Sequence, residues 1–128
     1  MQDPVMQMRI ARPTRDLERA AAFYRLLELP VIASFEDHDG YSGIVFGLPD
    51  SSRQFELVQH VGEVPSPTSE DQLVLFLGSA ECLRRLSDPI RAAGFDPRPA
   101  SNPYWERNGA TCFVDPDGYW LILSPGAW

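Results

Sequence analysis

The chain has 128 residues, of which 44% are hydrophobic and 23% charged, and carries a net charge of −7. That length makes one domain of ordinary size with enough apolar material for a core, and the acidic balance argues against nucleic-acid phosphates as partners while favouring neutral or cationic ones. No apolar run reaches the length of a membrane span and Met1 to Pro4 lack the basic and apolar regions of a signal peptide, so a cytoplasmic protein with no membrane partner is expected.

Residues 6–12 read as a strand, ended by Pro13 and Thr14. Thr14 or Asp16 can cap the helix that follows, whose apolar positions Leu17, Ala20, Ala21, Tyr24 and Leu27 recur at helical spacing. Strands are expected near 30–36, 41–48 and 54–60, with turn signals at Asp39-Gly40 and Pro49-Asp50. The second half repeats the order. A strand at 72–78 leads into a helix capped by Ser79, with Leu83, Leu86, Ile90 and Ala93 on one face, and strands follow near 95–100, 109–114 and 119–124. Pro89 is expected to kink that helix or restart it after Asp88. Asp115-Pro116-Asp117-Gly118 is a tight-turn sequence feeding a strand that is apolar on both faces.

The chain thus reads as α+β, a single domain over 1–128 made of two βαβββ modules at about 5–62 and 70–126. Each module is too small to bury its own sheet. The two are expected to pair into a curved, half-open barrel with the helices outside and a ligand cup on the concave side. Cys82 and Cys112 fit no metal or redox spacing and are expected to be reduced, buried thiols.

Three stretches in this arrangement, 13-PTRDLERAAAFYRLLEL-29, 55-FELVQ-59 and 115-DPDGYWLIL-123, resemble the vicinal oxygen chelate superfamily of glyoxalases, bleomycin-resistance proteins and extradiol dioxygenases. The resemblance covers nearly the whole chain, and 11-ARPT-14, 40-GYSGIVFGLP-49 and 102-NPYW-105 resemble a subgroup of small uncharacterised members. It implies the glyoxalase-like fold and a homodimer. In metal-using members four inner-face residues, usually His, Glu, His and Glu, hold the ion, and the resemblance places those positions at Arg9, Glu56, Gln72 and Ile122. Only Glu56 is an ordinary metal ligand. Gln72 is a weak one, and neither Arg9 nor Ile122 has a lone pair to give, so no metal or other cofactor is expected. Arg9 is instead expected to pair with Glu56, because either charge buried alone costs several kcal/mol.

His60 follows Glu56 by four strand residues, roughly 13 Å, too far for the two to share one ion, and is expected at the rim of the cup. His38 lies in an acidic turn and is read as solvated. Aromatic residues Tyr41, Phe46, Phe76, Tyr104, Trp105 and Trp120 are spread over both modules, and Tyr104 and Trp105 sit in the polar loop 101-SNPYWERNG-109, which could fold over the cup or pack on its own module.

Two functions remain open at this point. One is a metal-independent protein of the bleomycin-resistance type that sequesters a small aromatic or cationic ligand through Arg9, Tyr41, Glu56, His60, Gln72, Tyr104, Trp105, Trp120 and Ile122. The other is a lyase, isomerase or dioxygenase-like metalloenzyme with an atypical ligand set. There is no catalytic triad, phosphate-binding glycine loop or Cys/His nucleophile pair to direct the reading elsewhere.

Overall fold

Alternating side chains and a capped amphipathic helix organise the first half of the chain. The computed structural model describes residues 6–48 and 52–127; the expected Pro49-Asp50 turn lies outside them. The chain divides into two compact units, Met1–Pro65 and Ser66–Trp128.

The first unit contains β1 (Met8–Pro13), α1 (Leu17–Arg25), β2 (Val31–His38), β3 (Tyr41–Leu48) and β4 (Arg53–His60), its four strands ordered β1-β4-β3-β2. β1 runs parallel to β4, and the other pairings are antiparallel. Asp16 is the residue that caps α1, its carboxylate accepting from the Arg19 N–H at 3.2 Å. Thr14, almost wholly buried, accepts from the Asp16 N–H and so shapes the approach to the cap. Ala20, Ala21, Phe23 and Tyr24 are the buried residues of α1, and the Tyr24 ring meets that of Phe55 on β4 with centroids 4.9 Å apart. Strand parity puts Phe46 and Leu57 on the same face as Phe55, and each of these fully buried side chains contributes about 1.5–3 kcal/mol of apolar burial. Phe46 is therefore core rather than a ligand-facing aromatic.

The second unit contains β5 (Gln72–Phe76), α2 (Ala80–Ala92), α3 (Pro103–Arg107), β6 (Thr111–Val114) and β7 (Trp120–Ser124), with strand order β5-β7-β6. β5 is parallel to β7, and β6 antiparallel to it. Ser79 caps α2, accepting from the Cys82 N–H, and α2 lies against β7 with Leu86 and Ile90 buried. The helix runs unbroken through Pro89 instead of restarting there. Pro89 forfeits one donor close to the C-terminal end, where little helix remains to be disrupted, and the buried neighbours Leu86 and Ile90 hold both sides of it in place.

Two further expectations are corrected here. Residues 95–100 form no strand; a single backbone bond, the Arg98 N–H to the Cys112 carbonyl at 2.8 Å, ties this segment to β6. Pro97 and Pro99 hold φ at about −65° on either side of Arg98, away from the roughly −140° of a regular antiparallel strand. The polar loop after it contains α3, started by Asn102, whose side chain accepts from the Tyr104 N–H, and by Pro103 in the first turn.

The Asp115–Gly118 turn is built around one carboxylate. Asp115 Oδ1 accepts from the Asp117 N–H at 2.8 Å and from the Tyr119 N–H at 3.0 Å, and Gly118 supplies a φ of +95°. The strand that follows is dry, with Leu121, Ile122 and Leu123 fully buried.

Candidate functional site

On the first sheet, Arg9, Gln54, Glu56, Val58, His60 and Tyr41 point to the face opposite the α1 core, by the β1–β4 and β3–β4 registers. Arg9 Nη1 lies 3.6 Å from Glu56 Oε1, and Arg9 Nε donates to Gln54 Oε1 at 2.8 Å. The expected ion pair is present, but its burial is one-sided: the Glu56 side chain is 11% exposed and that of Arg9 47%. A pair open to solvent on one side adds at most about 1 kcal/mol, so its main effect is to hold Glu56 Oε1 while leaving part of the guanidinium accessible.

At the far end of the same face Tyr41 and His60 stack, with ring centroids 4.0 Å apart and planes inclined by 21°. Tyr41 is 40% exposed, whereas His60 Nδ1 is buried and has no hydrogen-bond partner among the described residues. The Phe35 ring covers Gly43, and His38 meets Phe35 edge-on at 6.0 Å, so His38 belongs to this aromatic end despite its exposure.

On the second sheet Gln72, Trp120 and Ile122 share one face, together with Cys112. Gln72 Nε2 donates to the Ser69 carbonyl, and Ile122 is wholly buried. Trp120 lies beneath the Arg98 guanidinium at 5.7 Å. Trp105 packs from α3 against Phe76 with centroids 6.1 Å apart, and Tyr104, 39% exposed, meets Trp105 edge-on. Thus Arg9 with Glu56 and Tyr41 with His60 lie at two ends of one face of the first sheet, Gln72, Trp120 and Ile122 share a face of the second, and Tyr104 and Trp105 stand on α3. Gln54, Phe35 and Arg98 were not among the expected residues. Gln54 could have been found from parity, two positions before Glu56, whereas Phe35 and Arg98 carry no sequence signal that singles them out.

The donor set does not fit a divalent ion. Among the described residues no three His, Cys, Asp or Glu side chains gather as a metal site, and the Glu56 carboxylate is already engaged by a guanidinium that repels cations.

Family models for a YycE-like N-terminal domain and a YycE-like C-terminal domain match residues 8–58 and 70–124. The chain belongs to the YycE-like family. The uncharacterised protein YycE of Bacillus subtilis is 35% identical over 120 residues, covering 91% of this chain and 86% of that protein. The crystal structure of a Bacillus subtilis YycE protein of unknown function superposes with a TM-score of 0.87 at 32% identity, over 95% of this chain and 90% of that one. More distant structures share the fold. Glyoxalase I of Leishmania major has a TM-score of 0.71 at 18% identity, covering 96% of this chain and 88% of its own. The fosfomycin resistance protein FosX of Mesorhizobium loti has a TM-score of 0.70 at 18% identity, covering 99% and 94%. This YycE-like chain therefore has the glyoxalase-like fold and stands within the vicinal oxygen chelate superfamily. No helix among its described residues is long and apolar enough to cross a membrane.

Proposed function

We propose that this YycE-like protein is a metal-independent, cytoplasmic, homodimeric small-molecule-binding protein of the bleomycin-resistance type, sequestering a flat aromatic or cationic ligand. The observation that carries the reading is the Arg9–Glu56 pair at 3.6 Å, a guanidinium standing where the superfamily resemblance would put a metal ligand. The ion pair is made through Glu56 Oε1, which leaves Oε2 as the acidic contact for a cationic group, and the Tyr41–His60 stack on the same sheet face offers an aromatic shelf with one partly open ring.

The test is a melting-temperature and calorimetric screen of the whole protein with Ni²⁺, Zn²⁺, Mn²⁺ and Fe²⁺ alongside a panel of flat aromatic cations. The expected result is stabilisation by one or more of the cations, weakened in Tyr41→Ala and Glu56→Gln, with no stoichiometric metal uptake. A metal bound one to one, with stabilisation growing as its concentration rises above Kd, would overturn metal independence and favour the metalloenzyme reading. Sedimentation of a monomer at working concentration would remove the dimer.

A further inference from the structure

The second unit contains a cavity of about 280 Å³ between α2, the 97–100 segment, α3 and β6. Its size is just below the roughly 300–1,000 Å³ of ordinary ligand pockets, so an occupant must be small. Pro97 and Pro99 give it apolar wall, and Cys112 contributes a buried thiol that burial pushes above its ordinary pKa, leaving it neutral. Three charged side chains line it. Arg91 is engaged by Asp88 on its own helix at 3.7 Å. Arg98 and Glu106 are not so engaged: among the described residues neither side chain makes an ion pair or hydrogen bond, with each other or with any third residue. Arg98 is supported from below by the Trp120 ring, which leaves the edges of its guanidinium free to donate.

The backbone that carries each charge is tied separately, and both side chains are open to solvent. The Arg98 N–H is bonded to the Cys112 carbonyl, and α3, which carries Glu106, is closed by the Ala110 N–H bonding to the Trp105 carbonyl at 3.0 Å. A cavity of this size that holds an unpaired cation and an unpaired anion on separately anchored walls, with apolar surface between, is complementary to a molecule bearing the opposite pair. The geometry points to a binding site for a small zwitterion of the α-amino-acid type, its carboxylate on Arg98, its ammonium on Glu106 and a compact side chain against Pro97 and Pro99. The site uses neither Arg9 nor Glu56, so it stands or fails independently of the function proposed above.

Three probes of one shape separate the contributions: L-leucine, isocaproate, which lacks the ammonium, and isopentylamine, which lacks the carboxylate. Each is titrated into the full-length protein and followed by amide chemical shifts. The expected result is saturable shifts for leucine confined to 90–92, 97–100, 105–107 and 110–112, with each one-armed analogue weaker by about tenfold or more, as the loss of a charge-assisted contact implies. In Arg98→Gln leucine should fall to the level of isopentylamine, and in Glu106→Gln to that of isocaproate. Arg98→Lys keeps the charge and the stem over Trp120, and should retain most of the binding if Arg98→Gln proves poorly folded. Equal affinities for the three probes, leucine shifts outside these segments, no saturable leucine shift at all, or leucine binding unchanged in folded Arg98→Gln would each overturn the proposal.

Discussion

The His60 imidazole, stacked on Tyr41, lies beside Gly40, where an added Cβ would stand 3.3 Å from both Cδ2 and Nε2 of the ring. Gly40 also holds a φ of +85°, which side chains rarely adopt. Gly40→Ala should therefore destabilise the protein by about 1–2 kcal/mol from backbone conformation alone, with a further loss from displacing the imidazole. Urea unfolding checks both parts. The cost should shrink, but not vanish, when the substitution is made in a His60→Ala background, and an unchanged midpoint in the single variant would count against the geometry.

The turn that leads into β7 depends on one buried carboxylate accepting two backbone N–H groups. Asp115→Ala would strand both donors in a site where Asp115 is only 5% exposed, for a loss of about 1–3 kcal/mol per unsatisfied group. Asp115→Asn keeps one acceptor oxygen and should lose markedly less. Thermal denaturation of the two variants side by side should rank them in that order; equal stability would mean that water replaces the carboxylate without cost.

How far these features could be read in advance differs by residue. The α1 stripe, the Ser79 cap and the Asp115–Gly118 turn are local, each decided by residues three or four apart, and they stand where the sequence puts them. Phe23 is buried although the helical stripe can be drawn through Ala20, Ala21 and Tyr24 without it, because a helix lying across a sheet buries a wider arc. The 95–100 segment reads as a strand by repetition of the first module, and its prolines prevent that. At the site, the superfamily resemblance implies that Arg9 stands beside Glu56, but the half-exposure of Arg9 depends on what the fold leaves uncovered, which no spacing encodes. The Arg98–Trp120 contact joins an irregular segment to a strand and lies equally beyond periodicity.

Burial pushes the Cys112 thiol above its ordinary pKa, with the Glu106 carboxylate adding to the effect, although a backbone hydrogen bond at Ala100 opposes it. A raised value in the folded state means that thiol ionisation favours unfolding. The associated stability is therefore complete below the ordinary thiol pKa and is lost as pH rises through the folded-state value. Cys112→Ala should flatten the alkaline limb of the stability curve measured by denaturant midpoint. Alkylation by iodoacetamide in native buffer should mark Cys82, which is partly exposed, well before Cys112. Equal labelling rates for the two thiols would contradict the burial.

The last expectation concerns Gly43 and Phe35, which face each other across the β2–β3 pair. Gly43 lies inside β3 at a position where the φ is one that any residue adopts, so its role is space rather than backbone freedom. A Cβ built there would stand 2.5 Å from Phe35 Cζ and 2.7 Å from Cε1, closer than side-chain carbons tolerate, and 3.1 Å from the Leu57 carbonyl oxygen. Phe35 is only half-buried and its ring can swing outward, whereas the Leu57 carbonyl is held in the β3–β4 ladder. Gly43→Ala should thus dislodge the ring and cost about 1–3 kcal/mol, the usual range for overpacking. If ring displacement is the cause, the cost should fall sharply in a Phe35→Ala background, where only the carbonyl contact remains, giving a coupling energy of about 0.5–3 kcal/mol in a double-mutant cycle. Additive losses would show that the strand backbone, not the Phe35 ring, excludes a side chain at this position.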